Sequence, residues 1–581
     1  MMRAAFIIFF CSFYFVVSAQ LDPGHYDNTK KIIVHHGAVV SAHALATDAG
    51  LQMMQQGGNA FDAAIATQLA LAVVYPGAGN LGGGGFMVAH LANGKNITLD
   101  FRETAPSQAT RDMYLDKNGN PITDLSMEGR LASGVPGTVA GIFEELKYAK
   151  LPFAQLVAPA IKLAEKGFAL TPAQAADFNN SRETFLRVNK DHKIPFVKDE
   201  PWKAGDIMIQ TDLANTLKRI RDKGAKGFYE GKTAELIAAE MQGGNGIITT
   251  ADLRNYHAKW RDALQFSFRG NEIVTMPLPS SGGIILEQLC KMSEMKKLST
   301  LPFQSAESVQ LMVEAERRAF ADRAEYLGDP DFITVPVKTL LSDAYLEKRM
   351  ADFVPGKAGN SKITGAGIIH ESDETTHFSV VDREGNAVSI TTTLNDHFGS
   401  KLMISGAGFL MNNEMDDFSV KPGSPNMYGA IGNDKNAIAP NKRMLSSMTP
   451  AIVLKNNKPY IVVGTPGGTT IPTSVFQTIV NLVDYNLSPE DAVNKPKFHH
   501  QWLPDEIFIE KDFPADTKQK LEAMGYKVTP RVNIGRTELI MAAYGLSQLN
   551  GAPSADYKKR FPQTYITAVA DKRGDDDARG F

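Results

Sequence analysis

Threonine and serine hydroxyls recur through the segment DETTHFSVVDREGNAVSITTTLN, residues 373–395. Residues 376–381 and 387–393 are β-branched and alternating, and Asp382 to Asn386 reads as a five-residue hairpin loop between them. If Val381 faces Ala387, counting back pairs Ser379 with Ser389, His377 with Thr391 and Thr375 with Thr393. Opposed residues hold their Cβ atoms about 4.5–5.5 Å apart on one face, so two hydroxyls would meet at a strand end. A slip of one residue would separate them. A threonine hydroxyl needs a base to act as a nucleophile, and the residue's own α-amine serves once the chain is cut before it. That amine has a pKa near ~8 and is partly unprotonated at neutral pH. Residues 355–373 are Gly- and Ser-rich without an apolar period and read as an exposed linker ending at Glu374–Thr375. Plain β-propensity also explains paired threonines, and that reading stays open here.

Four further groups could serve chemistry. In PYIVVGTPGGTTIPTSVF a strand runs into Gly464-Thr465-Pro466-Gly467-Gly468, with a helix expected at 474–485. Backbone N–H groups in such a loop can converge on an oxyanion, each worth roughly 3–4 kcal/mol in a transition state. The other reading is an ordinary strand-to-helix turn. Glu414, Asp416 and Asp417 form an acidic group that could grip an ammonium or could be a solvated turn. Ser446 and Ser447 precede a strand and could hydrogen-bond a carboxylate, although serine pairs are common in turns. Arg102 ends a β-type run in LDFRETAP, suited to bidentate carboxylate binding or to a structural ion pair with Glu103.

The elements that must position these groups are mixed. Two helices are expected over 44–74, the first ended by Gly57-Gly58 and the second capped by Asn59. Helical patterns recur at 138–148, 154–166, 210–224 and 305–327, and β-type runs at 86–91, 96–101 and 272–276. After Thr375 strands dominate, at 376–381, 387–394, 450–454 and 459–463, and 420–445 reads as a long ordered loop. Without strict βαβ alternation, the pattern favours a layered α+β architecture over a doubly wound parallel sheet. Gly77, Gly79 and Gly82 match a dinucleotide fingerprint, but a β-type run follows where a helix is needed, which excludes it. His35-His36 and His499-His500 are read as structural pairs.

The 581 residues carry 43% apolar and 22% charged side chains, with a net charge of −3. No basic excess exists to hold a nucleic acid. One Arg, an apolar run from Ala4 to Val17, and Val17-Ser18-Ala19 read as a secretory signal cut after Ala19. Cys11 would leave with it, and Cys290 in an apolar stretch reads as a packed core residue.

Taken together and in order, the chain resembles the γ-glutamyltranspeptidase family. The resemblance rests on GGNAFDAA (57–64), the glycine run 82–85, DFRETAP (100–106), GVPGT (134–138), LAEKGFALTP (163–172) and ADRAEYLGDPDF (321–332). Beyond the proposed cut it rests on TTHFSVVD (375–382), TLN (393–395), NNEMDDF (412–418), PNKRMLSSMTP (440–450), GTPGG (464–468) and HHQWLPD (499–505). It implies an N-terminal-nucleophile hydrolase, a four-layer αββα sandwich whose precursor cuts itself before Thr375. Residues 1–19 would be the signal, 20–374 the large chain and 375–581 the small chain, the two remaining together as a heterodimer. It further implies Thr375 as nucleophile assisted by Thr393, and Gly467 and Gly468 as oxyanion hole. Arg102, Ser446 and Ser447 would hold the α-carboxylate of a γ-glutamyl group. Asn395, Glu414 and Asp417 would hold its α-ammonium, and Tyr428 would be a lid residue.

The implied reaction moves the γ-glutamyl group of glutathione or a related donor to water or to an amino acid or peptide, in the periplasm or outside the cell. No metal or organic cofactor is required. Two features depart from the common bacterial pattern. Residues 544–565 look inserted between two terminal strands, and position 414 is Glu where some members have Gln. A same-fold acylase for glutaryl-type side chains and a non-catalytic binding protein are the competing readings.

Overall fold

The structure, a computed structural model, describes residues 20–190, 192–364, 375–421, 433–543 and 565–581. The expected signal, the residues just before Thr375, the expected lid residue Tyr428 and residues 544–564 of the expected insertion 544–565 lie outside the described residues.

Among the described residues, two seven-stranded antiparallel sheets stack face to face. The first contains Ala38–Ser41, Thr376–Val381, Ala387–Thr393, Gly84–His90 and Asn96–Asp100 as inner strands, with Asp577–Gly580 and Lys259–Arg261 at its edges. The second runs from Lys31–Val34 through Tyr565–Val569, Glu538–Ala543, Lys458–Gly464, Ala451–Lys455 and Asn271–Thr275 to Leu264–Phe268. Helices Ala44–Gln55, Ala60–Val74 and Phe153–Lys166 cover the outer face of the first sheet. Helices Gly282–Met295, Ala306–Tyr326 and Thr470–Val483 cover the second. The result is the expected layered α+β sandwich, helix–sheet–sheet–helix. Each sheet takes strands from both sides of position 375. A chain cut there could separate only by breaking both sheets.

Alternation decides which way the hairpin's side chains point. Phe378, Val380, Val388 and Ile390 enter the core under the helices. The other face of the hairpin turns His377, Ser379, Ser389 and Thr391 toward the second sheet, where Ser379 Oγ donates to Glu538 O (3.3 Å) and Ser389 Oγ to Val463 O (3.2 Å). The register is as expected: Val381 faces Ala387, Ser379 faces Ser389, His377 faces Thr391 and Thr376 faces Thr392.

Most anticipated elements form within a few residues. Asn59 caps Ala60–Val74 by accepting from the Phe61 and Asp62 amides, while Asp62 reaches back to the Asn59 N–H (2.7 Å). Cys290 is buried. The strand starts at Thr376, as expected, with Thr375 the residue just before it. Two expectations need correction. The helix expected at 474–485 spans Thr470–Val483, because Thr470 and Ile471 already bond back to Gly467 O and Gly468 O. The linker 355–373 is not exposed throughout. Gly359 N–H donates to Glu314 (3.0 Å), Ser361 N–H to Asp505 (2.8 Å), and Trp502 Nε1–H to Ser361 O (2.9 Å). Polar side chains fix this backbone, so apolar periodicity carries no trace of it.

Candidate active site

Thr375 enters a central strand of the first sheet, and the hairpin register continued by one step sets it opposite Thr393. Both threonines are buried. The Thr393 hydroxyl accepts the Asn395 N–H (2.8 Å), which folds the chain back at once and puts Asn395 in the left-handed region, φ 79°. Asn80 holds this corner from behind. Its Nδ2 donates to Thr393 O (2.9 Å), and its Oδ1 accepts from Gly83 N–H (3.1 Å) and the Thr138 hydroxyl (2.6 Å). The sequence reading overlooked Asn80, although it is the one polar side chain in PGAGNLGGGG. Beneath the threonines, His377 bonds Thr391 (2.9 Å) and Ser379 (3.0 Å). Burial pushes its imidazole down to about 3, so it is a neutral spacer rather than an acid or a base.

Thr393 pairs with Gly84 across the sheet. A Cβ at Gly84 would lie 2.5 Å from Phe101 O and 2.8 Å from the Glu103 carboxylate, so only glycine admits the next charged layer. In that layer Arg102 is buried and forms ion pairs with Glu414 (2.6 Å) and Asp417, with Glu103 at 3.8 Å. The alternative of an ion pair with Glu103 thus holds only loosely. The acids also are not a solvated turn: Glu414–Asp417 is a short 3-10 helix with Glu414 buried. Asn395 Nδ2 donates to Asn413 O (3.1 Å), tying the threonine corner to this turn. Asp416 points elsewhere, accepting from the Ser126 hydroxyl (2.5 Å), and burial pushes its carboxyl up to about 7.

The electrostatics of this layer are unbalanced. Burial opposes the Arg102 charge, but Glu414, Asp417 and Glu103 more than offset that and hold its proton above the ordinary arginine range. Burial pushes Glu414 well above the usual carboxylate range against the pull of Arg102, and it pushes Glu103 up to about 8. Burial therefore favours the neutral form of both Glu103 and Glu414 unless a further cation joins Arg102 in this layer. Asp417 Oδ1 and Ser447 Oγ are buried without a hydrogen-bond partner among the described residues. Such atoms cost roughly 1–3 kcal/mol each unless something bonds to them.

Ser446 and Ser447 are held on the same layer. Arg102 Nε reaches Met444 O (3.5 Å), and Asn436 joins Leu445 N–H (3.1 Å) to Asp417 O (2.7 Å). Ser446 N–H donates to Pro279 O (2.9 Å), and Ser446 O accepts from Ser281 N–H (2.7 Å), which locks the pair's backbone. Gly467 borders the same cleft as Thr375. It has φ +132°, and a Cβ there would sit 2.3 Å from the Thr470 hydroxyl, so the turn demands glycine. Gly468 follows in the left-handed region at φ +56° and leads into the helix N-terminus. Bonds thus tie Thr393 to Asn395 and Arg102 to Glu414 and Asp417, Asn436 ties Leu445, next to Ser446, to Asp417, and Gly467 shares a cleft with Thr375. Of the site residues singled out in the sequence, Tyr428 alone lies outside the described residues. The histidine pairs remain structural: His499 bonds Thr473 and Gln501, each at 2.9 Å.

A two-sheet sandwich with a threonine entering a central strand is the architecture of N-terminal-nucleophile hydrolases. The cephalosporin acylase of Bacillus halodurans superposes with a TM-score of 0.79 over 97% of this chain and 99% of that chain, at 24% identity, a likeness of fold alone. The γ-glutamyltranspeptidase of Helicobacter pylori is 46% identical with a TM-score of 0.54, covering 58% of this chain and 95% of that chain. A glutathione hydrolase proenzyme of Escherichia coli (strain K12) is 48% identical over 510 residues, 87% of this chain and 88% of its own length. The chain belongs to the γ-glutamyltranspeptidase family, whose model matches residues 46–580.

Proposed function

We propose that this protein is a self-processing enzyme that cleaves the γ-glutamyl amide of glutathione and related donors, and passes the group to water or to an amine. The observation that carries the reading is the pairing of Thr375 and Thr393 beside the Arg102–Glu414–Asp417 layer. In maturation the Thr375 hydroxyl attacks the carbonyl of Glu374, the C–N bond gives way to an ester, and water hydrolyses the ester. This frees the Thr375 amine and leaves chains 20–374 and 375–581, held together by their shared sheets.

In turnover that amine takes the Thr375 hydroxyl proton as the oxygen attacks the γ-carbonyl, and Thr393 orients the nucleophile. The N–H groups of Gly467 and Gly468 receive the oxyanion. The leaving amine departs with the proton, and water or a second amine resolves the γ-glutamyl ester. The donor's α-carboxylate goes to Arg102, Ser446 and Ser447, and its α-ammonium to Asn395, Glu414 and Asp417. Fixing both ends of the zwitterion turns binding into positioning. Ser447 Oγ and Asp417 Oδ1, buried and without a partner among the described residues, support these two contacts. Among the described residues no helix is long and apolar enough to cross a membrane, and the secretory signal sends the protein to the periplasm or beyond.

Matched γ-glutamyl and glutaryl 4-nitroanilides test the reading, since they differ only by the α-ammonium. The γ-glutamyl compound is expected to turn over at least ~100-fold faster, roughly two charge-assisted contacts' worth. Equal rates would favour an acylase.

A further inference from the structure

Two consecutive glycines give the turn after the strand Lys458–Gly464 more freedom than a preorganised oxyanion hole can use. Donors stabilise a developing oxyanion only if they already point at it, within about 0.5 Å and 10–20°. Something outside the turn must therefore fix Gly467 and Gly468. On one side it is the segment 535–536: Arg536 N–H donates to the Thr465 hydroxyl (2.7 Å), and a Cβ on Gly467 would lie 3.4 Å from the Gly535 Cα. On the other side Thr469 directly precedes the helix Thr470–Val483, a position where a threonine hydroxyl ordinarily accepts a helix N–H. Among the described residues the Thr469 hydroxyl makes no such capping bond. It donates instead to Gln501 Oε1 (2.8 Å), an oxygen that His499 Nε2 also bonds (2.9 Å). His499 Nδ1 in turn bonds Thr473, one turn along the same helix (2.9 Å). All four side chains are buried.

The segment HHQWLPD that carries Gln501 is pinned to residues N-terminal to position 375. The His499 ring packs edge-on against Phe320 (5.6 Å), and His500 N–H donates to Glu316 (2.8 Å). Trp502 Nε1–H donates to Ser361 O (2.9 Å), while Asp505 accepts from Ser361 N–H (2.8 Å) and pairs with Arg317. The Gln501 amide nitrogen reaches Leu503 O (3.4 Å), which turns the amide oxygen toward Thr469. We propose that Gln501 is a positioning residue for the oxyanion turn, acting through the Thr469 hydroxyl rather than on the donor. The role rests on the proposed γ-glutamyl transfer, with its oxyanion at Gly467 and Gly468. Formation and breakdown of the Thr375 ester both pass through that oxyanion, whereas the donor's zwitterionic end is held apart from it, in the Arg102 layer. Loosening the turn slows both steps alike and leaves donor binding as it was, so kcat falls and KM holds.

The test measures γ-glutamyl-4-nitroanilide turnover per mole of processed protein, with thermal melting alongside. Thr469→Val removes the hydroxyl, Thr469→Ser keeps it, and Gln501→Met removes the accepting oxygen. Thr469→Val and Gln501→Met are each expected to lower kcat about tenfold while donor KM changes by less than about twofold. Thr469→Ser is expected to bring kcat back to within about twofold of the unaltered protein. Both losses come from one bond, so the double variant should fall no further than the weaker of the two single variants. If Gln501→Met does not fold, the valine and serine variants at 469 decide the matter. The role is overturned if folded Thr469→Val keeps its kcat, if KM rises as kcat falls, if the serine variant loses as much as the valine one, or if the two single losses multiply. If the unaltered protein releases no 4-nitroaniline, the proposed activity falls as well. Normal release with an unmoved kcat in Thr469→Val sinks the positioning role alone.

Discussion

The two sides of Thr375 are built on opposite electrostatic plans. On one side Arg102 is buried against Glu414 and Asp417, partners more than 300 residues along the chain. On the other, arginines of one sign rim an open cleft with Val532 in solvent at its edge. A buried layer of mixed sign can read both charges of a zwitterion at once, and it is costly to disturb. An open cleft of one sign reads a single charge and tolerates variety around it. The contrast separates a buried layer that is costly to disturb from an open cleft that is not, each testable by changes that leave the other alone.

The largest effect is expected from Arg102→Ala, which strands Glu414 and Asp417 in the interior without their cation. Removing one partner of a buried pair costs about 3–5 kcal/mol, so urea unfolding should show a loss of that order together with near-complete loss of γ-glutamyl turnover. A stable, active variant would break the contrast. Ser447→Ala separates binding from stability. Its hydroxyl is buried without a partner among the described residues, so stability should change by less than about 0.5 kcal/mol while donor KM rises about tenfold. Steady-state kinetics beside thermal melting reads both.

The smallest effect concerns pH. Glu103, pushed up to about 8, holds a proton in the fold that the unfolded chain releases near the ordinary value of 4.5. Its contribution to stability is therefore complete below that ordinary value and is lost as pH climbs to about 8. Above pH 8 its ionised carboxylate competes for Arg102, and donor KM should rise several-fold. Glu103→Gln should flatten that limb in a KM–pH profile. An unchanged limb would exclude Glu103 as its source.

What could be read in advance followed the range of the signal. The hairpin register was legible because a short loop and a period of two leave little freedom, and His377–Thr391 pairs as counted. The layered fold was legible because helices and strands mix without strict βαβ alternation. Arg102 was visible as a binding residue, but its direct pairing with Glu414 and Asp417 was not, because no local pattern encodes a contact across that separation. Asn80 hid inside a glycine run, and its bond to Thr393 O exists only once two strands meet. Arg531, Arg536 and Arg573 carried no motif, since the end of a strand and two irregular segments bring them together. Ser361 looked exposed because polar contacts, not apolar spacing, bury it.

The central claim is one peptide-bond scission before Thr375 that makes its own amine available. N-terminal sequencing and intact mass of the purified protein and of Thr375→Ala test it most directly. Two associated chains, the smaller beginning at Thr375, are expected for the unaltered protein, and one uncut chain without turnover for the variant. A fully active single chain, or a variant that still splits at Glu374, would contradict it.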